Sequence, residues 1–293
     1  MSGHHEVLWL FHATAMVSDH DVAFDALARL AGLRVVYRVE AVQAGAGYRG
    51  GAVWIGDNSI ELGEPVEAGS PVHRFVRRQG GGVHSLCVQV RDLDANTGHL
   101  DGEGVRHTPT FAPGFVFADP RDTGGVLFEF ERAADSASAG VHPRAALAQP
   151  ATGGPPLLDV THLAFVGAVV DDPRRWAARY ARLLDTSVTF EHPHAGPGGP
   201  MAGVSLVDNT LALFALPGEA GEALWSHGYG HPRTHVIGLR VPDLSTAADL
   251  LAGAGVNVAR RDEQMIVIEP GATGGAGIVL VEELLPGDPR SGF

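Results

Sequence analysis

The chain has 293 residues, enough for two ordinary domains, and its 45% hydrophobic content can fill complete cores. A formal net charge of −13 argues against nucleic-acid binding and against attraction to anionic lipid, and one cysteine, Cys87, excludes an intrachain disulfide. No apolar run reaches the roughly 18 residues of a membrane span, and no basic region precedes the first apolar run. A soluble cytoplasmic protein without a signal peptide is therefore expected.

Val7 to Val17 reads as a strand rich in apolar and β-branched residues. Ser18 or Asp19 can cap the helix that follows. Val22, Phe24, Leu27, Leu30 and Ala31 recur in it with helical spacing, and Gly32 closes it. Arg34 to Val42 is a second strand. Ala52 to Ile55 and Ser59 to Leu62 form a hairpin around Gly56-Asp-Asn58. After a short helix, Pro71 to Arg78, the pattern recurs: strand Val83 to Val90, helix Asp92 to Asp101, then strands Val105 to Thr108, Phe115 to Ala118 and Val126 to Phe130. Residues 133 to 157 lose all periodicity to Ala, Ser, Gly and Pro and read as a linker.

Beyond the linker the pattern restarts. Asp159 to Val169 is a strand, and Asp172 to Leu184 a helix with Trp176, Tyr180 and Leu183 on one face. Strands Ser187 to Glu191, Val204 to Val207 and Leu211 to Leu216 follow. A last unit runs from Thr234 to about Glu282, with a helix at Leu244 to Gly253. The repeat is visible in the letters. His84-Ser-Leu-Cys-Val-Gln-Val-Arg-Asp-Leu93 aligns with His235-Val-Ile-Gly-Leu-Arg-Val-Pro-Asp-Leu244, and Asp119-Pro-Arg-Asp-Thr-Gly-Gly125 with Glu269-Pro-Gly-Ala-Thr-Gly-Gly275. A duplicated architecture follows: residues 1–132, the linker 133–157, and residues 158–293.

Four βαβββ units in two pairs, an α+β fold with cup-shaped mixed sheets, resemble the vicinal oxygen chelate superfamily. That group includes glyoxalase I, methylmalonyl-CoA epimerase, extradiol dioxygenases and the bleomycin-resistance binding proteins. Residues 8 to 131 are most similar to methylmalonyl-CoA epimerase, through His12-Ala-Thr-Ala-Met-Val17, Gly56-Asp-Asn-Ser-Ile-Glu-Leu-Gly-Glu-Pro65, Gly82-Val-His-Ser-Leu-Cys87 and Thr123-Gly-Gly-Val-Leu-Phe-Glu-Phe-Glu131. The resemblance implies a divalent metal (Co, Ni, Zn, Mn or Fe) on the floor of a cup, where a substrate with neighbouring oxygens chelates it.

Carried over, the resemblance makes His12 the first ligand, Glu61 the second and Glu129 the fourth, with Glu129 or Glu61 shuttling a proton. The third position counts to Ser85. His84, one residue early, reaches the metal only if the strand is bulged. The epimerase's second glutamate falls near Gly50, with Glu40 a loose substitute. In the second half His162 is in register for the first ligand, Ala212 replaces the second and Val279 the fourth. An alternative metal set there is His162, His235 and Glu282, a two-histidine, one-carboxylate arrangement like that of extradiol dioxygenases. Glu191-His-Pro-His194 and His227-Gly-Tyr-Gly-His231 read as solvated loops, and Cys87 as core.

Three functions are consistent with this pattern. The first is a metal-dependent isomerase, epimerase or lyase acting beside a carbonyl in the N-terminal half, the C-terminal half being degenerate. The second is an extradiol-type iron dioxygenase in the C-terminal half. The third is a metal-free protein that sequesters a small molecule. A small-molecule substrate, no nucleic-acid or membrane partner, and a monomer or homodimer are expected.

Overall fold

The structure is a computed structural model that describes residues 5–32, 34–38, 47–110, 114–133, 144–145, 147–149, 155–193, 199–215 and 234–291, the side chains of 234 and 235 excepted. The first unit is β1 (Val7–Met16), α1 (His20–Ala31), β2 (Arg34–Arg38), β3 (Tyr48–Ile55) and β4 (Asn58–Pro65). After α2 (Pro71–Gln79) comes a second: β5 (Gly82–Val90), α3 (Leu93–Gly102), β6 (Phe115–Phe117) and β7 (Phe128–Arg132). The third is β8 (His162–Val169), α4 (Pro173–Leu183), β9 (Val188–His192), β10 (Met201–Ser205) and β11 (Thr210–Phe214). The fourth is β12 (Thr234–Arg240), α5 (Leu244–Gly253), β13 (Val258–Arg261), β14 (Met265–Ile268) and β15 (Ile278–Val281).

The four repeated helices start the same way. Asp19, Asp92, Asp172 and Asp243 each accept a backbone N–H of the first turn, which satisfies a donor that the helix leaves open. Two sequence expectations shift. Val105 to Thr108 is not a strand but a single bridge, His107 to Ala118. Val22 is 52% exposed while its neighbour Ala23 is buried, so the apolar face of α1 turns by one residue.

The units pair into two mixed sheets, ordered β2-β3-β4-β1-β5-β7-β6 and β13-β14-β15-β12-β8-β11-β10-β9. In each, the first strands of two units meet antiparallel at the centre, β1 against β5 and β8 against β12. One face of each sheet contributes to a single hydrophobic core that runs through both halves, from Leu10, Leu27 and Phe128 to Tyr180, Leu213 and Ile266. Burying side chains of this size contributes about 1.5–3 kcal/mol each, so neither half is a self-contained layer.

The halves dock with a pseudo-two-fold relation. A Cβ on Gly124 would meet the Trp176 ring at 2.5 Å, and one on Gly274 would meet Ala23 at 2.6 Å. Trp176 and Ala23 each lie four residues after a capping aspartate, and both glycines take the left-handed backbone, φ 57° and 64°. Each half thus presents a glycine turn to the other's first helix. Tyr180 adds a hydrogen bond from its hydroxyl to the Thr123 carbonyl at 2.7 Å. The second seam is polar: Asp208 accepts from the Leu10 N–H at 2.8 Å and the Asn58 amide at 3.3 Å, and Arg290 donates to Asp57 at 2.9 Å.

Candidate metal centre

The other face of the first sheet builds a cup. Leu10, Ala13 and Ala15 of β1 join the shared core, whereas Trp9 and Phe11 pack with Cys87 on the opposite side. The β1–β5 pairing places His12 directly across from Cys87, and the parallel β5–β7 pairing places Cys87 beside Glu129. Ligand atoms of His12, Cys87 and Glu129 lie within 4.8 Å of one another. Glu61 joins from β4, its Oε2 3.1 Å from His12 Nε2.

That contact is not aligned as a hydrogen bond. Both ring nitrogens of His12 are buried, and neither has a hydrogen-bond partner among the described residues, nor does the buried Thr14 hydroxyl. Leaving such groups unsatisfied costs about 1–3 kcal/mol each, so the cup is built for something besides protein. Imidazole, thiolate and carboxylate donors converging at this distance fit a divalent ion of the zinc, cobalt or iron kind.

The electrostatics divide the carboxylates. Burial pushes Glu129 up to about 8, helped by the charges of Glu61 and Glu131. Burial would raise Glu61 too, but His12, Arg144 and the Tyr37 hydroxyl outweigh it and hold Glu61 below the usual carboxylate range. Tyr37 donates to Glu61 Oε1. Burial and the charges of Glu129 and Glu131 push the Cys87 thiol well up. Glu131 takes a long contact from the Cys87 thiol at 3.8 Å and one from Gln89 at 3.4 Å, and Gln89 accepts from the Trp9 indole at 3.0 Å.

His84 stands elsewhere. The register passes from Thr14–Ser85 to Ala15–Val83, so His84 is the extra residue of a bulge. Its ring meets Phe75 of α2 edge-on at 5.0 Å and lines a separate groove of about 400 Å³ with Arg74, Arg78 and Arg121. The strand is bulged, but the histidine is not delivered to the cup. Gly50 pairs with Gly63, and a Cβ there would lie 2.2 Å from the Leu62 carbonyl oxygen, so this backbone has no room for a glutamate at that position. Glu40, His194 and the 227–231 histidines lie outside the described residues.

Register also maps the cup onto the second half. Glu61 pairs with Thr14 as Ala212 pairs with Gly167, and His12 with Cys87 as Phe165 with Gly238. Cys87 pairs with Glu129 as Gly238 with Val279. The equivalents of His12, Glu61, Cys87 and Glu129 are therefore Phe165, Ala212, Gly238 and Val279. His162 is not in register with His12; it stands three residues before Phe165, because the β8–β12 pairing aligns His162 with Arg240 at the strand's start. The Phe165 ring lies over Gly238, 2.3 Å from where a Cβ would be, and the cup is packed with Phe190, Met201, Phe214 and Val279. Glu282 is committed to the end of α5, accepting from the Leu244 N–H at 3.2 Å. The backbone of His235 occupies the bulge that corresponds to His84; its side chain lies outside the described residues.

Cys87 is the site residue that sequence reasoning placed in the core. Its signal was available in the pairing: once β1 and β5 are antiparallel neighbours, the residue facing His12 is fixed by register, and counting back from Val90 misses it because β1 is irregular between Leu10 and His12.

Comparison with known proteins agrees with this geometry. Residues 11–121 match the family described as Glyoxalase/Bleomycin resistance protein/Dioxygenase superfamily. The chain is 30% identical to mitochondrial methylmalonyl-CoA epimerase of Mus musculus over 86 residues, 27% of this chain and 48% of that protein. It is 31% identical to ethylmalonyl-CoA/methylmalonyl-CoA epimerase of Cereibacter sphaeroides over 84 residues, 26% of this chain and 63% of the relative. The chain thus spans about half the length of the mammalian relative and under two thirds of the bacterial one. The whole two-sheet fold is similar to a variant of 4-hydroxymandelate synthase from Streptomyces coelicolor, with TM-score 0.61, 16% identity and coverage of 95% and 94% of the two chains. It is also similar to a variant of homoprotocatechuate 2,3-dioxygenase from B. fuscum, with TM-score 0.62, 14% identity and coverage of 99% and 76%. Sequence match and paired βαβββ architecture together place the chain, through its N-terminal half, in the glyoxalase/bleomycin resistance/dioxygenase superfamily of vicinal oxygen chelate proteins.

Proposed function

We propose that the N-terminal cup is the centre of a metal-dependent isomerase, epimerase or lyase that moves a proton at a carbon next to a carbonyl. The observation that carries this reading is the convergence of His12, Cys87 and Glu129 within 4.8 Å, with both buried ring nitrogens of His12 lacking a hydrogen bond among the described residues. These three residues would hold the ion. When bound, the ion supplies positive charge that stabilises an oxyanion developing on the substrate.

The chain's own groups do the rest. Glu61 is held ionised between His12 and the Tyr37 hydroxyl, so it is the candidate base for the proton on the carbon. The Tyr37 bond fixes one carboxylate oxygen and orients the other. Trp9 and Phe11 line the cup with apolar surface, which strengthens every charge interaction inside it. The matches to epimerases of malonyl-type thioesters favour a small acyl substrate in the same class.

The test is elemental analysis with isotope exchange on wild type, Glu129→Ala and Glu61→Gln. One ion per chain in wild type, lost from Glu129→Ala and kept in Glu61→Gln, supports the reading, together with loss of solvent deuterium incorporation into malonyl-type thioesters in Glu61→Gln. Wild type that takes up no ion after reconstitution, or Glu129→Ala that keeps it, overturns the reading and leaves metal-free sequestration of a small molecule in its place.

A further inference from the structure

The linker is anchored, not slack. Gln149 exchanges two backbone hydrogen bonds with Val35 of β2, at 2.7 and 2.8 Å, and Arg34 donates to the Ala148 carbonyl. Leu157 and Leu158 bond to the carbonyls of Arg29 and Leu30 at the end of α1. These contacts hold the segment along the edge of the first sheet. Arg144 is the only lysine or arginine between residues 133 and 157.

Its side chain is delivered to the cup. The guanidinium carbon sits 4.3 Å from the centre of the Phe11 ring and 5.4 Å from that of Tyr37, the tyrosine bonded to Glu61. Nη1 donates to the Ser59 hydroxyl at 3.3 Å. Rings on the guanidinium face fix its plane, so its N–H edge has a set direction. Its charge acts on Glu61, Glu129, Glu131 and Cys87 together, opposing their protonation.

The second half provides an internal comparison. Ser59 corresponds to Thr210, and there the crossing segment is the C-terminal tail. Thr210 donates to Asp288, and Arg290 spends its donors on Asp288, Asp57 and the carbonyls of Leu163 and Ala164. Leu284 and Leu285 of that tail pack onto the apolar cup. Where the cup is filled, the arginine is built into the protein and the segment brings leucines. Where the cup is polar, the segment brings an arginine stacked on aromatic rings at the same place.

We propose that Arg144 is a specificity-determining residue of the N-terminal cup, which binds a free carboxylate on the substrate and so selects acyl compounds that carry a second, anionic carboxyl group. This rests on the metal-centre reading above. Three glutamates and a thiolate around a divalent ion leave the cup net negative, and an anionic ligand would be repelled without a cation of its own. A planar guanidinium offers two parallel N–H donors to such a group.

The experiment titrates Co²⁺ into wild type, Arg144→Gln and Arg144→Lys, then titrates malonate and the neutral malonamide into each Co²⁺-loaded protein. Cobalt absorption reports the first step and calorimetry the second. The expected result is unchanged Co²⁺ affinity in all three, malonate binding at least about tenfold weaker in Arg144→Gln and partly restored in Arg144→Lys, and malonamide binding indifferent to the substitution. Equal malonate affinity in wild type and Arg144→Gln overturns the Arg144 assignment and leaves the metal centre standing. Failure of wild type to take Co²⁺ overturns the metal centre instead, and malonate binding to the metal-free proteins then decides Arg144 by the same comparison.

Discussion

Cys87 lies directly across the β1–β5 pair from His12, and through β7 it is also the neighbour of Glu129. One buried thiol thereby links the two residues that the ligand positions of the resemblance assign to opposite ends of the cup. If it completes the ion's coordination, Co²⁺-loaded protein will show the intense near-ultraviolet absorption of a thiolate–cobalt bond. Cys87→Ser will lose that band and bind Co²⁺ at least about tenfold more weakly, about 1.4 kcal/mol. Retention of the band in Cys87→Ser would remove the cysteine from the ligand set.

Tyr37 and Glu61 form the second relation that can be tested. The tyrosine hydroxyl donates to Glu61 and helps keep it ionised although it is buried. Removing the donor in Tyr37→Phe withdraws a stabiliser of the charged form, so the Glu61 pKa rises. The acid limb of the kcat/KM profile should then move to higher pH, with the plateau less affected. Glu61→Gln should lower kcat by roughly 10²- to 10⁴-fold, the usual contribution of a positioned base. An acid limb that stays in place in Tyr37→Phe would mean that another group is the base.

The fold was legible in the sequence because it is written four times. Four aspartate-capped helices, two Thr-Gly-Gly turns and two Asp-Asn hairpins punctuate the chain at matching places, and repetition filters out the accidents of any one unit. His12, Glu61 and Glu129 were legible because strand alternation puts each on the same face. Cys87 was not, because one irregularity in β1 moves the cross-strand partner without leaving a mark in composition. His162 misled for a similar reason: a histidine near the start of a strand looks aligned with His12 until the pairing shows Phe165 in that place. Arg144 lies in a segment without periodicity, and only the anchoring of Gln149 on Val35 reveals where it goes.

Phe165 is the clearest measure of the second cup's conversion to core. It is 3% exposed and fills the space beside Gly238 that corresponds to the gap between His12 and Cys87. Phe165→Ala should destabilise the protein by about 3–5 kcal/mol, the usual cost of emptying an aromatic site. Metal content should not change. Denaturant unfolding and elemental analysis on the same sample check both. Loss of metal with stability retained would mean that the second cup, not the first, holds the ion.

Asp208 at the polar seam gives a pH dependence whose sign follows from its surroundings. Burial pushes its carboxyl up to about 7, although the Leu10 N–H and Arg290 oppose this. In the unfolded chain an aspartate titrates near 3.9. Between those values the folded protein holds a proton that the unfolded chain has released, so stability is full below about pH 4 and falls as pH rises towards 7. The loss is at most on the order of 4 kcal/mol for a difference of about three units. Asp208→Asn carries no titrating group and can still accept from the Leu10 N–H. The urea midpoint of wild type relative to Asp208→Asn should therefore decline from pH 4.5 to pH 8. Parallel midpoints across that range would show that Asp208 is as well solvated in the folded protein as in the unfolded chain, and that the seam at Leu10 and Asn58 admits water.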